Sequence, residues 1–461
     1  MKIYAFAARL LLSSTLIVCL ILPSLAVAGK ILTLSECLEM AQTRNPSVLA
    51  SMERIAQAEW RKQSVYDNFL PRLNLDYGYT YLANPSDINT GLPDTGDVSV
   101  TVHNNYAMGL YLDQPLFTGY RLIESYRLAD LGLKEAVAGE ELATLEIKYR
   151  TVSAYYNLLM SIKFQEVMAA TVKQLASHYD DSYQFYENEI IPMNDLLEAE
   201  VHLANAKQDF RLASSRTRKA RTTLATLIKE PLSSEFSVVD TPSLAPLLVD
   251  LEFLLQKALT DRPELKQANY GLESSEKQVA LARSYYFPNV IMRAGHNRYG
   301  GDPMVDGTGL SDLQLPYETT VGVYAQWEIF AWGQTRHNVN QAEAARRESQ
   351  QYLVKVMDEI RMEVDDNYTS VQVSYSNIET AKKAVEQAQE NLRMNEVRYQ
   401  NQIASSTDVI DAQTLLTSTR TKYYQAVYHY NIWLASLARA VGAESWEQLV
   451  VEGPDSKQKD L

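Results

Sequence analysis

Residues 69–82, FLPRLNLDYGYTYL, set Leu73, Leu75, Tyr77, Tyr79 and Tyr81 on one parity and Asn74, Asp76, Gly78 and Thr80 on the other. A period of two puts these sets on opposite faces of a β-strand, one apolar and one polar. The same alternation covers four segments, 72–82, 105–117, 289–298 and 319–330. In the last of them Val321, Val323, Ala325, Trp327 and Ile329 alternate with Gly322, Tyr324, Gln326 and Glu328. Each segment has roughly the 9–11 residues of a tilted strand that crosses a bilayer. The rest of the chain reads as helix. A capping box, Thr33 with Glu36, opens a helix predicted to reach about Leu70, and its counterpart runs from about Leu251 to Phe287. Segments 119–188 and 333–402, 70 residues each and free of proline, predict helices of about 105 Å. In 385–400, Val385, Ala388, Leu392 and Val397 form a thin apolar stripe among Glu, Gln and Asn. That spacing suits helices packed side by side in coiled-coil fashion and wet on at least one face.

The chain is written twice. AQTRNPSVL at 41–49 matches ALTDRPEL at 258–265; Pro46 and Pro263 stand 217 positions apart, as do Pro71 and Pro288 at the helix-to-strand switches. DQPLFTG at 113–119 answers AQWEIFAWG at 325–333, and YENEIIPMNDLLEAE at 186–200 answers YQNQIASSTDVIDAQ at 399–413. Landmarks in one order imply an internal duplication. The expected division is a first repeat at 29–243 (helix, β-hairpin, long helix, turn, helix), a second at 244–443 and a tail at 444–461. The links 83–105 and 300–317, dense in Gly, Pro, Asp and Asn, read as long loops at the outer end of each hairpin. Four strands cannot close a barrel, and open edges in lipid leave backbone groups unpaired at several kcal/mol each. If the strands span a membrane, several copies complete one barrel; otherwise they are soluble hairpins lying over helices.

Composition narrows this further. Lys2 and Arg9, an apolar run from Leu10 to Leu22 and Ala26-Val27-Ala28 read as a signal peptide, residues 1–28, and so as export. No later segment approaches the ~18 apolar residues of a membrane helix. Only Cys37 would remain after cleavage, so no disulfide framework is expected. The net charge is −14, and −16 once the two cationic residues of the leader are gone, which argues against a nucleic-acid partner. No G-x-S-x-G, P-loop, H-E-x-x-H or C-x-x-C occurs, and the six histidines lack metal-ligand spacing. We therefore expect no catalytic residues, no metal and no cofactor.

LTLSECLEMAQTRNP at 32–46, the FLP and YFP switches, the QPLFTG and WEIFAWG strand ends and the two turn motifs resemble, in order, the TolC-like outer-membrane efflux proteins. The resemblance covers about Leu32 to Ala443. It implies a mixed α and β fold: a homotrimeric 12-stranded outer-membrane β-barrel, four strands per chain, continuous with a long periplasmic α-helical barrel. It also implies an exit duct that passively conducts drugs, small molecules or secreted polypeptides, served by a periplasmic adaptor and an inner-membrane transporter. Leu75, Tyr77, Val321 and Val323 would face outer-membrane lipid.

By the same resemblance the helix turns form a periplasmic gate. Asp408 and Asp411 lie one helical turn apart on one face and match the family's aspartates at the narrow tunnel end; Asp408 can equally act as a helix cap. Asp195 and Tyr399 match positions that hydrogen-bond across helices in the closed state. The chain departs from the family at Glu189 and Gln402, where glycine is usual, and at Ala404, where an arginine is frequent. The competing reading is a periplasmic helical-hairpin adaptor or binding protein, which would carry one hairpin and compact β domains.

Overall fold

The computed structural model describes residues 30–89, 91, 96–232 and 236–443. The expected signal segment and the tail lie outside the described residues. The chain runs β1 (Lys30–Leu32), α1 (Leu34–Arg44), α2 (Pro46–Tyr66), β2 (Arg72–Tyr81), β3 (Asp87–Asn89), β4 (Asp97–Ser99) and β5 (Asn104–Phe117). It continues α3 (Arg121–Glu187), α4 (Met193–Ile228), β6 (Phe236–Val238), α5 (Leu251–Asp261) and α6 (Pro263–Arg283). β7 (Asn289–Gly300), β8 (Tyr317–Gln326), α7 (Gln334–Gln400) and α8 (Ser406–Ala440) complete it.

The capping box at the start of α1 forms as expected: Glu36 N donates to Thr33 Oγ1, and Thr33 N donates to the Glu36 carboxylate at 2.8 Å. The single helix expected to reach Leu70 is instead two. Pro46 takes the first position of α2, where a missing N–H is harmless, and Asn45 caps it by accepting from Ser47 N at 3.0 Å. Pro263 divides α5 from α6 in the same way. The long helices α3 and α7 each span 67 residues, about 100 Å.

The four long strands make one antiparallel sheet in the order β2-β5-β7-β8. β8 covers 317–326 rather than 319–330, and the reason is its partner. Gln326 pairs with Asn289, the first residue of β7, and Pro288 before it has no N–H with which to continue the ladder. Trp327 turns away and donates its indole N–H to the Tyr286 carbonyl at 3.1 Å. Two small pairings carry no sequence signal strong enough to predict them: parallel β1–β6, and the β3–β4 hairpin within the loop after β2.

Helices pack in the same lateral order as the strands. Toward the sheet the wall reads α2-α3-α6-α7, and toward the far end α4-α3-α8-α7. One flank therefore presents β2, α2 and α4, and the other β8 and α7. The largest cores sit midway along, around Tyr155, Tyr156, Leu158 and Tyr428, and around Leu254, Val364, Leu434 and Leu437. There the α5–α6 break buries Arg262, 3 % exposed, which donates to Glu363 at 2.5 Å, to Glu264 and to the Ala440 carbonyl at 3.2 Å. Arg439 extends the network to Glu146 at 2.8 Å and to Glu363.

Candidate functional site

One face of the sheet is mostly apolar, although it also carries Gln114, His296 and Arg298. Leu75 pairs with Leu110 and Leu73 with Leu112; Ala294 pairs with Val321 and Met292 with Val323. Leu75 is 66 % and Val321 74 % exposed; Val323 and Tyr77 are exposed as well. Tyr77 Oη donates to the Pro303 carbonyl at 2.9 Å in the β7–β8 loop. The opposite face is polar and charged. Asp113 and Arg293 are cross-strand partners joined by two hydrogen bonds of 2.5 and 2.9 Å, and the guanidinium lies 5.8 Å from the Tyr111 ring centroid.

At the far end of the molecule, the α3–α4 and α7–α8 hairpins turn side by side. Both turns close as Schellman motifs. Ile190 N donates to the Phe185 carbonyl and Glu189 N to that of Tyr186; Ile403 N donates to Arg398 and Gln402 N to Tyr399. The motif requires a left-handed residue. Glu189 and Gln402 supply it at φ 59° and 62°, although glycine adopts that conformation without a Cβ clash. Pro192 then caps α4, and Ser405 caps α8.

The four residues singled out from the sequence occupy distinct places here. Tyr399 is buried on the last turn of α7, its hydroxyl sharing a 2.8 Å hydrogen bond with Ser182 Oγ of α3. Burial raises its phenol above the ordinary value; the Ser182 hydrogen bond opposes this, and the nearby Asp195 and Asp181 charges add to it. Asp195, in the first turn of α4, is half-buried and accepts from Asn194 Nδ2 at 2.7 Å. Asp408 is exposed and closes a capping box from the third helical position, accepting at 2.8 Å from both the N–H and the hydroxyl of Ser405. Those hydrogen bonds hold its carboxyl below the usual range. Asp411 is exposed one turn further on.

Two further polar contacts join the two hairpins. His178, 6 % exposed, places Nε2 2.9 Å from Ser406 Oγ and its ring 4.8 Å from that of Tyr399. Thr407 donates to Glu198 of α4 at 3.1 Å. The sequence signal for these was available. Leu175, His178, Ser182 and Phe185 recur at helical spacing, so two polar side chains interrupt a stripe that must pack. Among the described residues no group of His, Cys, Asp and Glu could hold a metal, and no helix is long and apolar enough to cross a membrane.

The outer membrane efflux protein family model matches residues 37–228 and 254–443. Among curated relatives, outer membrane protein TolC of Vibrio cholerae is 21 % identical over 419 residues, spanning 90 % of this chain and 92 % of that protein. Nodulation protein T of Rhizobium leguminosarum bv. trifolii is also 21 % identical, over 417 residues, 89 % of this chain and 85 % of that one. The crystal structure of the Vibrio cholerae outer membrane protein VceC superposes with a TM-score of 0.75 at 19 % identity, covering 89 % of this chain and 96 % of that chain. The Campylobacter jejuni CmeC outer membrane channel gives a TM-score of 0.76 at 17 % identity, with 90 % and 88 % covered. With both halves of its length matched by the same model, this chain belongs to the outer membrane efflux protein family.

Proposed function

We propose that the protein is the outer-membrane exit duct of a tripartite export system, conducting solutes passively from the periplasm to the outside. The observation that carries this is the open four-stranded sheet, with an exposed apolar face and a charged opposite face, continuous with helices about 100 Å long. In this reading three copies close a 12-stranded barrel, and Leu75, Tyr77, Val321 and Val323 face outer-membrane lipid. The flanks support such a closure. Among the described residues β2 and β8 each leave one edge without a strand partner, and α4 and α7 expose apolar side chains near the hairpin turns: Met193, Leu197 and Val201 on α4, Met394 and Val397 on α7. The halves 29–243 and 244–443 then act as repeats, each supplying one β-hairpin and one helical hairpin.

The hairpin turns form the periplasmic gate. Three copies each of Asp408 and Asp411 ring its opening and favour cations by their field, while Tyr399 and Asp195 help hold the closed arrangement. An adaptor protein and an inner-membrane transporter complete the path; no bond is made or broken. Single-channel conductance in a planar bilayer, with mass in detergent measured alongside, tests the reading. Cation-selective events from a species of three times the chain mass are expected; a monomer that never conducts would refute it.

A further inference from the structure

We propose that His178 is a proton-sensitive latch, pinning the second hairpin turn to the long helix of the first and releasing it on acidification. The inference rests on the hairpin turns being the gate and adds its regulation. Geometry comes first. A buried imidazole bridges elements more than two hundred residues apart, reaching Ser406 at the start of α8 and packing on Tyr399 at the end of α7. Ser406 is 1 % exposed, so water does not substitute for either partner while the turn is seated.

Burial pushes His178 down to about 4, and the Glu198 carboxylate on α4 offsets this in part. A histidine released to solvent titrates near 6.5. Above that value it is neutral whether the turn is seated or lifted, and pH exerts no bias. Between about 6.5 and 4 the lifted state takes up a proton that the seated state does not, so lifting is favoured as pH falls. From pH 7.5 to 5.5 the lifted-to-seated ratio rises about tenfold per copy through this group alone.

Other charges lie close to it. On its own helix, burial and then Asp180 raise Asp181. On α7, burial raises Glu396, a hydrogen bond from Gln174 opposes the rise, and Asp181 adds to it. Asp195 on α4 acts on Tyr399, and Asp408 on α8 is turned back onto Ser405. Asp181 and Glu396 act in the opposite sense, because a carboxyl raised in the seated state gains protons there first. The response of His178 is therefore read as a difference between variants.

The test uses the full-length mature protein in lipid vesicles, comparing wild type with His178→Gln, which keeps a polar partner for Ser406 but does not titrate. Amide exchange across 405–410, corrected for intrinsic pH dependence, is expected to rise about tenfold more in wild type than in the variant between pH 7.5 and 5.5. Tyr399→Phe removes the Ser182 bond without removing the histidine and should keep the pH response. Ser406→Ala should raise exchange already at pH 7.5. An equal pH response in wild type and His178→Gln overturns the latch. Bilayer open probability over the same range is a second readout; a protein that forms no pore at any pH refutes the channel reading, and the exchange comparison still decides the latch.

Discussion

Replacing Leu75 with Arg puts a charge on the apolar face of β2 near its middle, beside Leu73, Tyr77 and the cross-strand Leu110. No acidic side chain shares that face of the strand, and Leu75 is 66 % exposed, so in the proposed barrel the guanidinium would meet lipid rather than protein. An arginine near the bilayer midplane of a barrel costs about 2–4 kcal/mol. The proposed trimer would carry the change three times, for a total of about 6–12 kcal/mol, comparable with the whole stability of an ordinary domain. Val323→Arg, paired with Met292 on the same face, should behave alike. Asp76→Arg and Gln326→Arg lie on the polar parity and should stay within about 1 kcal/mol of wild type. The assay is the yield of heat-modifiable, membrane-assembled trimer from equal amounts of exported chain, followed by denaturant midpoints in vesicles. Leu75→Arg and Val323→Arg should nearly abolish assembly while the other two retain it. Equal tolerance on both parities would refute the membrane assignment and leave the sheet a soluble cover.

Three further outcomes test other parts. The double change Asp408→Ala and Asp411→Ala should lower cation preference in bilayer recordings; because Asp408 also closes a capping box, α8 should lose about 1 kcal/mol of stability as well, and unchanged selectivity would confine both residues to the helix start. Gln402→Gly and Glu189→Gly remove a left-handed non-glycine residue from each Schellman turn and should raise thermal stability by about 1 kcal/mol apiece, visible by circular dichroism. Arg262→Met removes both hydrogen bonds that the Glu264 carboxylate accepts from the guanidinium and should cost about 3 kcal/mol in denaturant unfolding. Burial raises Glu264, yet the Arg262 hydrogen bond and charge together hold it below the ordinary glutamate value of 4.5. Its contribution is therefore complete above that value and is lost as pH falls through the lowered one, so wild-type stability should fall more steeply with acid than that of a variant with neutral Gln at 264, the difference between them narrowing as pH drops.

Long periodic elements were legible from sequence, and short, partner-dependent ones were not. Proline-free runs of 70 residues became helices of 67, because regular side-chain spacing and the absence of breakers act locally at every turn. The strands are legible from parity alone, yet the end of β8 is not: it is set by Pro288, just ahead of the neighbouring β7, which the alternation at 327–329 cannot register. Pro46 marks the repeat but its sequence context does not mark a break, because proline at a first helical position starts a helix as readily as it ends one. At the hairpin turns, Tyr399 and the aspartates were found through resemblance. His178 and Ser182 interrupt the stripe of Leu175 and Phe185, but that spacing alone does not say which helix faces them or what they bond.

Packing along the wall is graded, and the gradation fits a duct that opens at one end. Midway, tyrosines and leucines from α1, α3, α4, α7 and α8 form continuous cores, reinforced by the buried Arg262 network. Beyond these cores the apolar clusters are smaller, the largest joining Ala388, Leu392, Tyr399, Val409, Ala412 and Leu416 beside the turns, and hydroxyls and amides add to them: Thr171 with Thr417 at 2.8 Å, Gln413 with Thr417 at 3.0 Å, Ser182 with Tyr399, His178 with Ser406. Each such bond contributes only about 1 kcal/mol net, and water can replace it once the helices part. Separating an apolar core of the midway kind would cost about 25 cal/mol for every Å² exposed, with no compensating partner in solvent. The midsection is thus held by more apolar burial than the tip, where hydrogen bonds that water can replace carry a larger share, and in the proposed duct this lets the turns part while the midsection stays folded.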